Sequence, residues 1–96
     1  MNIQTLHTPG KEISFVPVFS GEAGTVTAMQ LPANQTLKKH TTKIAAFLIC
    51  ITGKVVYHNE NGVEEILLPG DYVKIEPMVE HWVDGGPSDS NLLLIK

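Results

Sequence analysis

The chain has 96 residues, of which 43% are hydrophobic and 18% charged, which is typical of one globular domain and excludes a disordered chain. Its formal net charge is −3, and Lys38-Lys39 is its densest positive cluster. We therefore exclude nucleic acid and anionic membranes as partners, because binding to phosphate groups needs clustered Lys and Arg. The longest apolar run, residues 44–51, is far shorter than the roughly 20 residues of a membrane-spanning helix.

The only cysteine, Cys50, lies in an apolar segment and has no second thiol with which to form an internal disulfide. We interpret it as a buried thiol that packs as a small hydrophobic side chain. Residues 1–10 lack the charged start and the apolar core of a signal peptide. These features together predict a cytoplasmic protein.

The first half of the chain reads as short strands separated by turns. Residues 13–19 and 24–31 are rich in β-branched and aromatic residues, which favour strands. Pro17 donates no backbone hydrogen bond, so the first strand is expected at a sheet edge or broken. Residues 44–51 are apolar on both alternating faces, which predicts a strand that is covered on both sides.

The second half continues this pattern. Asn61-Gly62 is typical of a tight hairpin turn between two strands. No stretch of the chain shows a convincing helical periodicity. The regular turns predict an all-β sandwich or small barrel, with residues 1–96 as a single domain. The barrel core is expected at about 24–95, with strand 13–19 as an edge or dimer arm. Further strands are expected at 54–58, 63–68, 72–75, 81–83 and 91–95.

Two stretches of the chain each place one histidine among turn residues: His40 lies within residues 34–53, and His81 within residues 70–85. With the order of strands and turns, these stretches resemble the two motifs of the cupin superfamily. The resemblance covers roughly residues 24–95. It implies an all-β fold, the double-stranded β-helix or jelly-roll (cupin) barrel.

The first cupin motif runs Gly, five residues, His-x-His, three or four residues, Glu, six residues, Gly. Asn34 stands at its first glycine, His40 at its first histidine and Gly53 at its last glycine. Thr42 stands at the second histidine and Ala46 at the glutamate. This stretch therefore keeps one of its three metal-ligand positions.

The second motif runs Gly, five residues, Pro-x-Gly, two residues, His, three residues, Asn. Gly70 and His81 fall in register with it. Glu76 replaces the proline, Met78 the glycine and Gly85 the asparagine. The single histidine ligand of this motif is therefore present.

Family members with an intact site hold iron, manganese, nickel, zinc or copper through three histidines and one glutamate. Here the resemblance leaves only His40 and His81, and two imidazoles without a carboxylate form a weak site. We therefore predict no resident cofactor. The alternative is a weakly bound divalent transition metal held by His40 and His81.

The histidines also suggest a ligand pocket inside the barrel. Alternate residues of a strand share a face, so one unbroken strand would place His40 and the residues after it on a common face. His7 and His58 are expected to face solvent. The predicted pocket residues are His40, Thr42, Ala46, Leu48, Met29, His81 and Trp82.

Three functions remain open from the sequence. The first is binding of a small polar or anionic ligand in the barrel without a complete metal cage. The second is a metal-dependent enzyme, of the dioxygenase or isomerase type, that uses the incomplete two-histidine site. The third is a non-catalytic dimeric scaffold. The sequence names no ligand, reaction or pathway, and it leaves open whether the chain is an enzyme.

The opposite face of strand 44–51 carries Phe47, Ile49 and Ile51, and these apolar side chains need cover. Small cupins often meet that need by pairing. We therefore predict a homodimer.

Overall fold

The computed structural model describes residues 1–8, 10 and 12–96, and within this part of the chain almost all regular structure is β-strand. A short 3-10 helix, Ile3–Thr5, comes before the strands. Among the described residues, no helix has the length and apolar character of a membrane span. The strands are β1 (Ser14–Gly21), β2 (Gly24–Leu31), β3 (Thr36–His40), β4 (Ala46–Thr52), β5 (Val55–Asn59), β6 (Glu64–Leu67), β7 (Tyr72–Ile75), β8 (His81–Gly85) and β9 (Ser90–Ile95).

The strands form two antiparallel sheets. Sheet A has five strands in the order β1-β2-β9-β4-β7, and sheet B has four in the order β3-β8-β5-β6. Each sheet therefore ends in two edge strands. One open side of the molecule lies between β1 and β3, and another lies between β6 and β7. The predicted all-β fold class is confirmed.

The core lies between the two sheets and is formed by alternate residues of the strands. In β4, Ala46, Leu48 and Cys50 are buried, whereas Phe47 and Ile49 on the other face are only partly buried. Burying one face and exposing part of the other follows from the period of two in a strand. The fully buried apolar side chains include Met29, Leu31, Val55, Tyr57, Leu67, Val83 and Leu92.

Two strand predictions agree closely with the structure. The predicted strand 24–31 is β2, with the same bounds. The predicted strand 13–19 is β1, which lies at the edge of sheet A. The register of β1 shifts between Pro17 and Phe19, because proline supplies no hydrogen bond to the neighbouring strand.

The expectation of one unbroken strand from His40 onward is wrong. Strand β3 ends at His40, and β4 begins at Ala46 in the other sheet. Between them Thr42 Oγ donates to Ile44 O (2.9 Å), and Met78 N–H donates to Thr42 O (2.8 Å). A threonine hydroxyl that bonds the nearby backbone competes with strand pairing. Ile44, expected on the inner face, is 57% exposed.

Two turns show backbone conformations that favour glycine. Asn34 has φ 61° and Met78 has φ 63°, and they are the non-glycine residues with positive φ in the described part of the chain. At both positions the cupin motifs have glycine, which reaches the left-handed region without steric cost. The backbone at Asn34 and Met78 therefore adopts a conformation that glycine reaches more easily than the residues present.

Candidate functional site

His40 and His81 form a cross-strand pair in sheet B. His40 is the last residue of β3 and lies opposite His81, the first residue of β8. Their ring centroids are 4.1 Å apart and the rings are tilted by 59°. His81 is 1% exposed, whereas His40 is exposed to solvent. The pair therefore reaches from the core to the surface.

The backbone fixes the orientation of both imidazoles. Nδ1 of His40 lies 2.9 Å from Lys38 O, and Nδ1 of His81 lies 3.0 Å from Val79 O. A carbonyl oxygen can only accept, so each Nδ1 carries the hydrogen and donates it. In the neutral rings, each Nε2 then holds a lone pair. Nε2 is therefore the atom that each histidine can offer to a ligand.

Burial favours the neutral form of His81. Removal from water lowers the pKa of His81, although the hydrogen bond to Val79 opposes this. The neighbouring charges of His40 and Lys96 lower the pKa further. The pair thus combines a buried, neutral imidazole with an exposed one.

A small cavity of about 60 Å³ lies beside the histidine pair in the core. It is large enough for about two water molecules but far below the ~300 Å³ of a typical ligand pocket. Its walls are apolar except for the two imidazoles. The lining residues are Phe15, Met29, Leu37, His40, Leu48, Ile75, His81, Val83 and Leu94.

The cavity adjoins a wide groove between β1 and β3, which we call the β1–β3 groove. It measures about 540 Å³ and shares Phe15, Leu37 and His40 with the cavity. Lys38 and Lys39 also line it. A molecule in this groove can therefore reach the exposed imidazole directly and extend a small group into the cavity.

Four predicted pocket residues meet at the cavity: Met29, His40, Leu48 and His81. Three others lie elsewhere. Thr42 is in the loop that follows β3, with its hydroxyl bonded to Ile44 O. Ala46 is buried on the inner face of β4 but does not line the cavity.

Trp82, the third of these, lies on the outer face of sheet B. It follows His81, and adjacent residues of a strand face opposite ways. Its ring stacks on His58 with centroids 5.1 Å apart, and Lys39 Nζ lies 4.7 Å from the ring centroid. The tryptophan is therefore separated from the cavity by the sheet.

Sequence reasoning missed five cavity residues: Phe15, Leu37, Ile75, Val83 and Leu94. Alternation along β7, β8 and β9 places the last three on inner faces, so periodicity was a usable signal for them. Phe15 and Leu37 belong to the edge strands of two different sheets. Their meeting depends on how the sheets stack, which no local pattern contains.

His7 and His58, which were expected to face solvent, are both partly buried, and His58 lies on the outer face of sheet B. His58 Nε2 lies 3.0 Å from Asp84 Oδ2 on the outer face of sheet B. His7 Nδ1 is hydrogen-bonded to Ser14 Oγ (2.7 Å), and burial lowers the pKa of His7. Neither histidine lies at the cavity.

The donor set does not fit the complete metal cage of the family. Thr42 and Ala46 stand at two ligand positions, and neither supplies a nitrogen or a carboxylate. Across the described residues, no three His, Cys, Asp or Glu side chains lie together as a metal site requires. The geometry therefore offers a metal two imidazole nitrogens.

No protein-family model matches the chain, and no curated protein matches it. Solved structures are similar in fold. A cupin superfamily protein from Desulfitobacterium hafniense has a TM-score of 0.85 at 10% identity, over 98% of this chain and 84% of that one. A cupin-like protein from Thermotoga maritima has a TM-score of 0.78 at 22% identity, over 88% of this chain and 67% of that one.

A third similar structure is a cupin family protein with a double-stranded β-helix fold from Methanocaldococcus jannaschii. Its TM-score is 0.79 at 17% identity, over 95% of this chain and 84% of that one. All three identities are low, so these similarities concern the fold and not the function. With the two-sheet topology and the positive φ at Asn34 and Met78, they show that the chain has the cupin fold.

Proposed function

We propose that the protein binds a small anionic ligand, such as a carboxylate, at the His40–His81 pair without a complete metal cage. The observation that carries the proposal is the contact of the paired imidazoles with both a core cavity and an open groove. Two fixed imidazoles beside an apolar wall can orient one polar group of a ligand.

The cavity volume limits how the ligand enters. About 60 Å³ admits a carboxylate or a methyl group but not a whole metabolite. The carboxylate therefore sits beside the imidazoles, at the cavity, and the rest of the ligand lies along the β1–β3 groove. The apolar side chain of Phe15, which is 51% exposed, offers a contact surface there.

The described lining residues of the groove include two lysines, Lys38 and Lys39, and one carboxylate, Glu12. Because Lys39 Nζ lies over the Trp82 ring on the outer face of sheet B, Lys38 is the cation available to an anion in the groove. An imidazole whose Nδ1 already donates to a carbonyl offers a second N–H only when it is protonated. Anion affinity is therefore expected to rise as the pH falls through the range in which imidazoles titrate.

A titration with sodium butyrate tests this proposal, with n-butanol as an uncharged control. We expect saturable shifts in the imidazole NMR signals of His40 and His81 with butyrate alone. His40→Ala should weaken binding at least about tenfold, since a charge-assisted hydrogen bond is lost. His58→Ala, on the outer face, serves as the matched control. Equal binding by both variants would contradict the proposal.

A second candidate is an enzyme with a weak two-histidine metal centre. One observation favours it: each Nδ1 donates to a backbone carbonyl, which is the usual way to orient a metal-binding histidine. The site lacks a carboxylate ligand, so this candidate needs donors from the substrate. It ranks below ligand binding for that reason.

We further propose that the protein is a homodimer that pairs through the outer face of sheet A. That face carries Phe47 and Ile95, and Phe47 stacks on Tyr72 with centroids 4.8 Å apart. The outer face of sheet B is more polar, with His58 Nε2 3.0 Å from Asp84 Oδ2. An apolar face is complementary to a second copy of itself, as a two-fold interface requires.

We also propose a cytoplasmic location, which the buried free thiol of Cys50 suggests.

A further inference from the structure

The opposite side of the molecule, between β6 and β7, holds a second groove, and the ring of its lining residue Tyr57 lies 5.9 Å from the ring of His81. We call it the β6–β7 groove. It measures about 510 Å³, whereas the cavity beside the histidine pair measures about 60 Å³. Its lining residues are Tyr57, Asn59, Asn61, Val63, Glu65, Tyr72, Val73, Lys74 and Glu76.

Tyr57 presents an unsatisfied hydroxyl at this groove. The residue is 2% exposed, and its Oη has no hydrogen-bond partner among the described residues. Burial raises the pKa of Tyr57, the Asn59 side chain offsets part of this, and the charge of Glu76 adds to it. Asn59 and Glu76 both line the groove, so the hydroxyl end of the ring lies on that side. A buried polar group without a partner is destabilising, and a bound ligand would supply the partner.

Two carboxylates, Glu65 and Glu76, line the same groove as Tyr57. Glu65 lies directly opposite Tyr57 in the β5–β6 pairing, so both side chains are on the inner face of sheet B. Glu76 follows the end of β7. In the part of the chain that the structure describes, the one contact between a basic side chain and a carboxylate is His58–Asp84, so neither glutamate is neutralised by a salt bridge.

The remaining lining groups suit the body of a small organic molecule. Val73 is on the inner face of β7 and gives the groove an apolar wall. Lys74 is the adjacent residue and therefore belongs to the outer face, at the rim. Asn59 Oδ1 already accepts from the N–H groups of Asn61 (2.9 Å) and Val63 (3.3 Å), so its amide nitrogen is the group that acts on Tyr57 and lowers the pKa of that hydroxyl.

We propose that the β6–β7 groove is a second binding site, for a small organic cation such as an alkylammonium compound. The ammonium group donates to the carboxylates of Glu65 and Glu76 and to Tyr57 Oη, and the alkyl part contacts Val73. Two unpaired carboxylates on the inner side outweigh one lysine at the rim, so an anion is disfavoured. The proposal is independent of the anion site at His40 and His81.

The test uses n-butylammonium chloride, titrated into isotope-labelled protein and followed by backbone amide NMR shifts. n-Butanol is the uncharged control of the same shape. We expect saturable shifts at Tyr57, Glu65 and Val73 with n-butylammonium and none with n-butanol. Glu65→Gln should weaken binding at least about threefold, as expected for the loss of a partly exposed ion pair.

Two further variants make the test specific. Glu64→Gln removes the neighbouring charge on the opposite face of the same strand and should leave binding unchanged. Tyr57→Phe removes the unsatisfied hydroxyl and should weaken binding without lowering the melting temperature. Equal shifts with n-butanol, equal affinities of the two glutamine variants, or unchanged binding by Tyr57→Phe would each overturn the proposal. Because the Tyr57 ring lies 5.9 Å from the His81 ring, these titrations are run in the absence of butyrate.

Discussion

His40 and His81 face each other at a ring-centroid distance of 4.1 Å, yet one is exposed and the other is 1% exposed. The pair therefore joins two environments within one contact. Burial favours the neutral form of His81, whereas the ring of His40 is in contact with solvent. We therefore expect both the stability of the fold and the binding of an anion to depend on pH.

Stability should fall as the pH falls below neutrality, because of His81. Its pKa in the folded protein is lower than the ordinary value of 6.5, so the unfolded chain binds the proton more readily. The contribution is fully present above pH 6.5 and is lost as the pH falls through the lower, folded pKa. Urea unfolding between about pH 7 and pH 5 measures it.

His81→Gln should flatten this pH profile. His7→Gln removes a second histidine whose pKa is lowered by burial, and it should leave most of the slope in place. An unchanged slope in His81→Gln would show that the buried imidazole does not control the pH dependence.

Met78→Gly should stabilise the fold. Met78 has φ 63° and is 63% exposed, so glycine relieves backbone strain with little loss of packing. We expect a gain of up to about 1 kcal/mol in the free energy of unfolding, since the left-handed conformation costs a non-glycine residue about that much. Chemical denaturation measures the change.

Gly62→Ala is the reciprocal control for Met78→Gly. Gly62 has φ 83°, and a Cβ atom there meets no neighbour within 4 Å. Any loss of stability in this variant is therefore due to the backbone conformation alone, and we expect about 1 kcal/mol. A destabilised Met78→Gly variant would contradict the strain argument.

Restoring the missing metal ligands should create a strong zinc site. The double variant Thr42→His, Ala46→Glu completes the family's ligand set around His40 and His81, so Zn²⁺ affinity should rise at least about a hundredfold. Isothermal titration calorimetry compares it with the unmodified chain. The control variant Thr42→Ser, Ala46→Ser should show no gain. A double variant that binds no better would show that β4 and the loop before it do not follow the motif's register.

Dimerisation should depend on the outer face of sheet A. Ile95→Asp places a charge beside Phe47 and should convert a dimer to monomers, because an unpaired charge at an apolar interface is costly. Light scattering after size-exclusion chromatography gives the mass. Ile66→Asp, on the outer face of sheet B, is the matched control and should leave the mass unchanged. A monomeric mass for the unmodified chain would contradict the dimer.

The sequence predicts those parts of the fold that local residue patterns determine. The bounds of β2 follow from strand-type residues at 24–31, and the edge position of β1 follows from Pro17. The end of β3 at His40 does not follow, because the loop after it is held by the N–H of Met78, far along the chain. A pattern within one segment contains no information about such a partner.

The sequence likewise predicts only part of the candidate site. Both histidines were found because their positions in the motifs are local. Their partners in the cavity, Phe15 and Leu37, come from edge strands of different sheets, so only the three-dimensional stacking reveals them. The hydroxyl of Tyr57 was also beyond sequence reasoning, since a tyrosine in a strand normally has a partner or water.

The position of Trp82 determines what optical spectroscopy can detect. It is the only tryptophan in the chain, and it lies between Lys39 and His58 on the far side of sheet B from the cavity. Its emission therefore reports the state of the outer surface of sheet B around it. A ligand that enters the cavity leaves that fluorophore in an unchanged environment, so a silent fluorescence titration is the expected result even when the site is full.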